Sequence, residues 1–242
     1  IMKKLITLLA LTISFSMNAQ VSTNSTSPTG VYASAMGNGT TASGNESTAM
    51  GYDTTASAEA STAMGYSTTA SAQGSTAMGK LTTASNTAST AMGYQTTASG
   101  DYSTAMGNSS TAMGNSSTAM GRNTRASGVY STAMGYDTTA SDYASLVIGQ
   151  YNSSGSSATN AVSFSTSNTA FVIGNGTASN AKSDAFKVMF NGDTTVSNDL
   201  TVSGDVVISS DARLKSNIVS LGSTLPKLLQ IDGKSYEMKG KQ

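Results

Sequence analysis

Between residues 33 and 158 one bulky apolar side chain recurs among small and polar ones at a fixed step. Fourteen-residue units follow one another without insertion: ASAMGNGTTASGNE from 33, STAMGYDTTASAEA from 47, STAMGYSTTASAQG from 61, STAMGKLTTASNTA from 75 and STAMGYQTTASGDY from 89. Then come STAMGNSSTAMGNS from 103, STAMGRNTRASGVY from 117, STAMGYDTTASDYA from 131 and a worn SLVIGQYNSSGSSA from 145. A register held over nine units is the mark of a solenoid, in which each unit forms one coil and stacking buries what a lone coil cannot. The unit from 103 contains STAMGNS twice, so fourteen is seven plus seven. Each half offers about five residues of strand character, S-T-A-M-G or T-T-A-S-G/A, and then two residues of turn type. The pattern predicts two short parallel strands and two tight turns per coil, stacked at about 4.8 Å, for a rod of roughly 43 Å.

Strand alternation sorts the side chains. Thr48 and Met50 fall on one face, and Ser47, Ala49 and Gly51 on the other. A roll with two short sides has a narrow lumen, which Ala49, Ala63, Ala77 and their equivalents would fill. Met36, Met50, Met64, Met78, Met92, Met106, Met113, Met120 and Met134, nine of the 13 methionines, would then form an apolar stripe outside. Between 33 and 144 only Leu81 and Val129 come from the Leu, Ile, Val and Phe set, so this region offers nothing to cover that stripe. Self-association would cover it, with Met50, Met64, Met78, Met92, Met106, Met120 and Met134 as packing residues. The alternative has Met inside and Thr and Ala outside, which keeps the solenoid and removes the argument for association.

Two further ladders follow from the register. Tyr52, Tyr66, Tyr94 and Tyr136 recur at one turn position and form a candidate binding edge, although turn aromatics also occur without function. Thr48 and its equivalents form one hydroxyl ladder, and Thr54/Thr55 with theirs another, which opens the alternative of an ice-binding or other lattice-matching solenoid. Against it, Thr is simply a good strand residue.

Past residue 158 the pattern changes. TAFVIGNG from Thr169 and AFKVMFNGD from Ala185 alternate apolar positions and end in Asn-Gly, which reads as strand and hairpin turn. TTVSNDLTVSGDVVISSD from Thr194 repeats a short strand-turn pattern, so 159–208 is expected as a β-structured neck or fibre segment. At the other end Lys3 and Lys4 precede an apolar run from Leu5 to about Met17, and Met17-Asn18-Ala19 suits signal-peptidase cleavage. The expected division is a signal peptide over 1–19, a linker over 20–32 and the roll over 33–158. The mature chain would be secreted or on the cell surface; the apolar run is too short to span a membrane and no Cys follows it for a lipid anchor. Ile1 ahead of Met2 suggests an unusual start or a fragment.

Composition limits the chemistry. Leu, Ile, Val and Phe together number 37 of 242 residues, about 15%, below the roughly 20% under which disorder is usually suspected. Disorder would bring high net charge and many prolines, whereas 13 basic residues balance 13 acidic ones and there are 2 Pro. With Cys 0 and His 0, thiolate and His-dependent catalysis and the usual zinc sites are excluded, so no metal and no cofactor is expected. The neutral chain offers no basic stripe for nucleic acid.

STAMGYxTTASG resembles the head repeat of YadA-like trimeric autotransporter adhesins, S-V-A-I-G-x-x-S-x-A, with Met for Ile and Thr for Val; SLVIG at 145–149 is similar too. The resemblance implies an all-β, left-handed parallel β-roll, a homotrimer, and an adhesive rod displayed on a surface. Residues 209–218, SSDARLKSNI, with LLQIDGKSY from Leu228, resemble the start of the endosialidase-type intramolecular chaperone of phage tail spikes. That family implies a short α-helical start over 209–242 and a single-turnover Ser-Lys self-cleavage, with Ser210 as nucleophile, Lys215 as base and the scissile bond between Ser209 and Ser210. A desolvated lysine can activate a serine without histidine. Only 32 residues follow Ser210, so the sequence is expected to end inside that domain. The leading expectation is an exported trimeric adhesin-like fibre without activity on external substrates. A phage tail-fibre-like protein is a further alternative, opposed by the leader because phage fibres assemble in the cytoplasm.

Overall fold

The computed structural model describes residues 25–205, which are all β, with no helix among them. The expected leader over 1–19, the helical start of the 209–242 segment and the pair Ser210 and Lys215 lie outside the described residues.

Every coil is built alike. In the one that starts at Ser47, the strand Thr48–Tyr52 is followed by a corner at Asp53, the two-residue strand Thr55–Ala56, and a turn over residues 58–60. Long strands pair with long and short with short, parallel and fourteen residues apart, so that Met50 lies over Met64 and Thr55 over Thr69. The short strands make a nine-stranded sheet and the long ones the bulk of a twelve-stranded sheet.

The two halves of a coil are therefore less equal than their sequences suggest. The second half breaks early because its next residues form a turn closed from inside: the Ser61 hydroxyl donates to the Ala58 carbonyl at 2.6 Å and accepts the Ala58 N–H at 3.3 Å. Ser47 and Ser145 close equivalent turns at Gly44 and Asp142. This is why Ser opens almost every unit. The first half runs on through Tyr52, so Tyr52, Tyr66, Tyr94 and Tyr136 end strands and do not sit in turns as expected.

The seven-residue step survives in the backbone. From Ser25 to Tyr151 every seventh residue has a positive φ, among them Asp53 (52°), Ala60 (54°), Ser67 (50°) and Leu81 (58°). A left-handed conformation costs a non-glycine residue roughly 1–2 kcal/mol. Hydrogen bonds across the stack offset this: Asp53, Ala60 and Ser67 each donate an N–H at 2.8 Å to the coil below, onto Asn38, Asn45 and Tyr52.

The lumen holds four side chains per coil, Ser47, Ala49, Thr54 and Ala56 in this one, all buried. It is a column of alanine, serine and threonine, with bulk only at Val147 and Val172. So little side-chain volume brings the opposite walls close. Along the stack, the backbone of the next coil leaves no room at Gly51. Its φ is +125°, and a Cβ there would lie 2.0 Å from the Gly65 carbonyl oxygen of the next coil.

The roll reaches past both expected ends. Ser27–Pro28, placed in a linker by the sequence, pairs with Thr41–Ala42 and starts the short-strand sheet. At the far end Leu146–Gln150 pairs in parallel with Thr169–Asn175, so the first strand of the expected neck is one more rung of the same sheet. Asp184–Met189 and Thr194–Val196 then add antiparallel, the turn between them at Asn191-Gly192 as the sequence predicts. Beyond Val196 the described residues contain no strand, although the sequence predicts more.

Residues 151–168, between those two rungs, form a loop pinned by side chains. Buried Asn152 replaces the missing next short strand. Its Oδ1 accepts the Thr139 N–H at 2.8 Å and its Nδ2 donates to the Thr139 carbonyl at 2.9 Å. Buried Asp142 accepts the N–H groups of Thr159 at 2.6 Å and Thr169 at 2.8 Å. Charge-assisted bonds of this kind are among the stronger ones and give a buried carboxylate the partners it needs.

Candidate functional site

Thr48, Met50 and Tyr52 share strand parity and project from the outer face of the long-strand sheet. Register turns them into three parallel columns. The middle one carries Met36, Met50, Met64, Met78, Met92, Met106, Met120 and Met134 one above the other. Met50 is 38% exposed and Met120 37%, whereas Ala49 and Ala119 behind them are at most 1%. The arrangement with Met inside is thus excluded. Met113 does not belong to the stripe: it falls in the other half of its coil, where its N–H reaches Ala126 across the short-strand sheet. In that half its position is the one Ser57 occupies in other coils, and its side chain is 40% exposed.

Beside the methionines runs a column of aromatic and cationic groups. Tyr52 and Tyr66 stack with ring centroids 5.0 Å apart and planes 9° from parallel. The Lys80 ammonium, next in register, lies 5.4 Å from the Tyr66 ring and 5.8 Å from the Tyr94 ring. Higher up, the Arg122 guanidinium lies 5.3 Å from the Tyr136 ring, and Tyr136 meets Tyr151 edge-to-face at 5.1 Å. The hydrogen bond with Tyr136, then desolvation, pushes the Tyr151 hydroxyl from 10.0 up to about 12. Of the four tyrosines singled out from the sequence, only Tyr52 and Tyr66 touch one another. Lys80 and Arg122 complete the column, and the signal for them was available: they occupy the repeat position of Tyr52. The mutual stacking covers ring faces that would otherwise be free to stack on a ligand, so this edge presents ring edges and hydroxyls.

The second hydroxyl ladder divides. Thr54, Thr68, Thr82, Thr96 and Thr138 point into the lumen and are buried, and only Thr55 and its equivalents face outward. The outward column is interrupted at Arg125, which stands between Thr111 and Thr139. A continuous two-column threonine lattice is therefore absent from the short-strand face, which weakens the lattice-matching alternative. Among the described residues no group of three or more acidic side chains gathers as a metal site.

The profile of the YadA head domain repeat, two copies long, matches residues 29–54, 56–82, 84–110, 112–138 and 126–152. The profile of the chaperone of endosialidase matches residues 210–242. No curated protein matches the chain significantly.

Proposed function

The chain belongs to the family of YadA head-domain repeats, and from that membership we propose that it is an exported, homotrimeric adhesin-like fibre that attaches to a surface, matrix or glycan. The methionine column carries the reading. Completing the burial of a methionine that is already three-fifths or more covered contributes up to about 1 kcal/mol, and eight per chain add to several kcal/mol, in the range a stable interface needs. Three such columns meeting on a common axis would hide all of them and leave the short-strand faces outward. Sedimentation of the full chain tests this: a mass near three times 24.4 kDa is expected, and a stable compact monomer overturns it.

The match over 210–242 supports a second role for that segment, assisting trimer assembly. There Ser210 and Lys215 are the candidate nucleophile and base for cleavage between Ser209 and Ser210. Mass spectrometry of purified full chain decides it: a product ending at Ser209 must form, and must vanish in Ser210→Ala.

A further inference from the structure

At the far end of the roll, residues 153 and 154 and the strands Asp184–Met189 and Thr194–Val196 line an open cleft of about 300 Å³. That is the lower end of the range for small-molecule sites and suits a single sugar residue. Its chemistry is one-sided. Among the described residues Asp184 is the only carboxylate lining it, and both its oxygens are taken: Oδ1 accepts the Ser153 N–H and Oδ2 the Ser154 N–H, each at 2.8 Å. The hydroxyl of Ser183 donates to Asn175 Oδ1 at 2.7 Å, and that of Ser197 donates to the Asp184 carbonyl. The carboxylate oxygens of Asp184 and the amide oxygen of Asn175 thus each already accept a hydrogen bond within the fold.

The donors are not. The ammonium groups of Lys182 and Lys187 have no ion-pair or hydrogen-bond partner among the described residues, and neither has Nδ2 of Asn175. Thr195 lies beside Lys187 in antiparallel register and adds a hydroxyl. In a chain whose charged residues make up only 11%, two unpaired cations in one concave site whose carboxylate is already bound call for an anion with further oxygens around it.

We propose that this cleft binds an anionic sugar residue, one that carries a carboxylate or a sulfate ester. Lys182 and Lys187 take the anion, and Asn175 Nδ2 and Thr195 take ring or hydroxyl oxygens. Its use in attachment rests on the adhesive reading above, while the binding chemistry itself does not. Glucuronate, glucose 6-sulfate and neutral glucose are titrated into the full chain by calorimetry. Saturable binding of at least one anionic sugar is expected, tenfold or more tighter than glucose and weakened by added salt as partly exposed ion pairs are. Binding of glucuronate alone assigns a carboxylate ligand, and binding of glucose 6-sulfate alone a sulfated one. K182Q/K187Q should lower the affinity at least tenfold with the melting temperature unchanged. Thr195→Val, which leaves both cations in place, should cost a smaller factor. The proposal is overturned if neither anionic sugar saturates the site, if glucose binds as well, or if K182Q/K187Q binds normally. Glucuronate binding by a protein that coats beads without making them adhere would leave the cleft standing and remove the adhesive reading; adhesion that persists in a chain that binds no sugar does the reverse.

Discussion

Thr68 sits in the lumen with a hydroxyl that finds no partner, and Thr40, Thr54, Thr82, Thr96 and Thr138 share this condition. A buried hydroxyl left unsatisfied costs roughly 1–3 kcal/mol. Thr68→Val should therefore raise the stability of the roll by about 1 kcal/mol, read as a higher melting temperature. Three and four coils along, the same column behaves differently: Thr124 donates to Ser110 Oγ at 2.9 Å, and Ser110 donates to the Gly121 carbonyl at 3.0 Å. Ser110→Val should accordingly lower the melting temperature; equal signs for the two variants would defeat this account of the lumen. Gly65→Ala belongs to another class. Its Cβ would lie 1.9 Å from the Gly79 carbonyl oxygen at a φ of +127°, and loss of the cooperative transition is expected. Tyr151 gives a spectroscopic check. In an alkaline absorbance titration one tyrosine should lag to about pH 12, and Tyr136→Phe should bring it back toward 10.0. At this scale the sequence was readable where parity decides, as at Ala49 and Met50. It was silent on Thr54, because the corner at Asp53 resets the parity before the short strand begins.

The last coil shows what an element needs when its successor is missing. Eight of the nine short strands lean on the next, and the final one, Thr139–Ala140, leans instead on the side chain of Asn152. Asn152→Ala removes two hydrogen bonds to Thr139 and a third to the Ser154 carbonyl, at about 1 kcal/mol each, so a loss of roughly 2–3 kcal/mol is expected. Hydrogen exchange locates it: the Thr139 amide should lose protection while the amides of the coil around Ala63 keep theirs. Uniform loss of protection along the roll would refute a local capping role. Arithmetic on the repeat places Asn152 in the column of Thr54, so its register was legible, while the burial of that column shows only in the fold. The loop over 151–168 was not, because it separates two rungs that pair as neighbours although Leu146 and Phe171 lie 25 residues apart. Nothing in a fourteen-residue period announces that spacing; it depends on where Asp142 and Asp184 place their carboxylates.

For the molecule as a whole, the distribution of apolar surface between two faces is what matters. Lysines at Met64 and Met92 put two charges on the stripe, and M64K/M92K should shift the full chain from the proposed trimer to smaller species in sedimentation. The same charges on the opposite sheet, S57K/S85K, should leave association intact; equivalent behaviour of the two variants would show that the stripe is not the interface. The faces differ because the halves of a coil differ, yet both halves meet the same backbone demand, a left-handed corner at every seventh residue. An inserted or deleted stretch of fourteen codons therefore changes the reach of the rod by one rung, about 4.8 Å, and leaves every column in register. A slip of seven codons preserves the corners just as well but moves everything downstream to the other face, so that methionines would pass from the stripe to the opposite sheet. Met113 shows one methionine on that other face, in a unit whose first half keeps Met106 in the stripe. Replication slippage in such a gene would lengthen or shorten the roll in discrete steps, with selection acting on whether the step is whole or half.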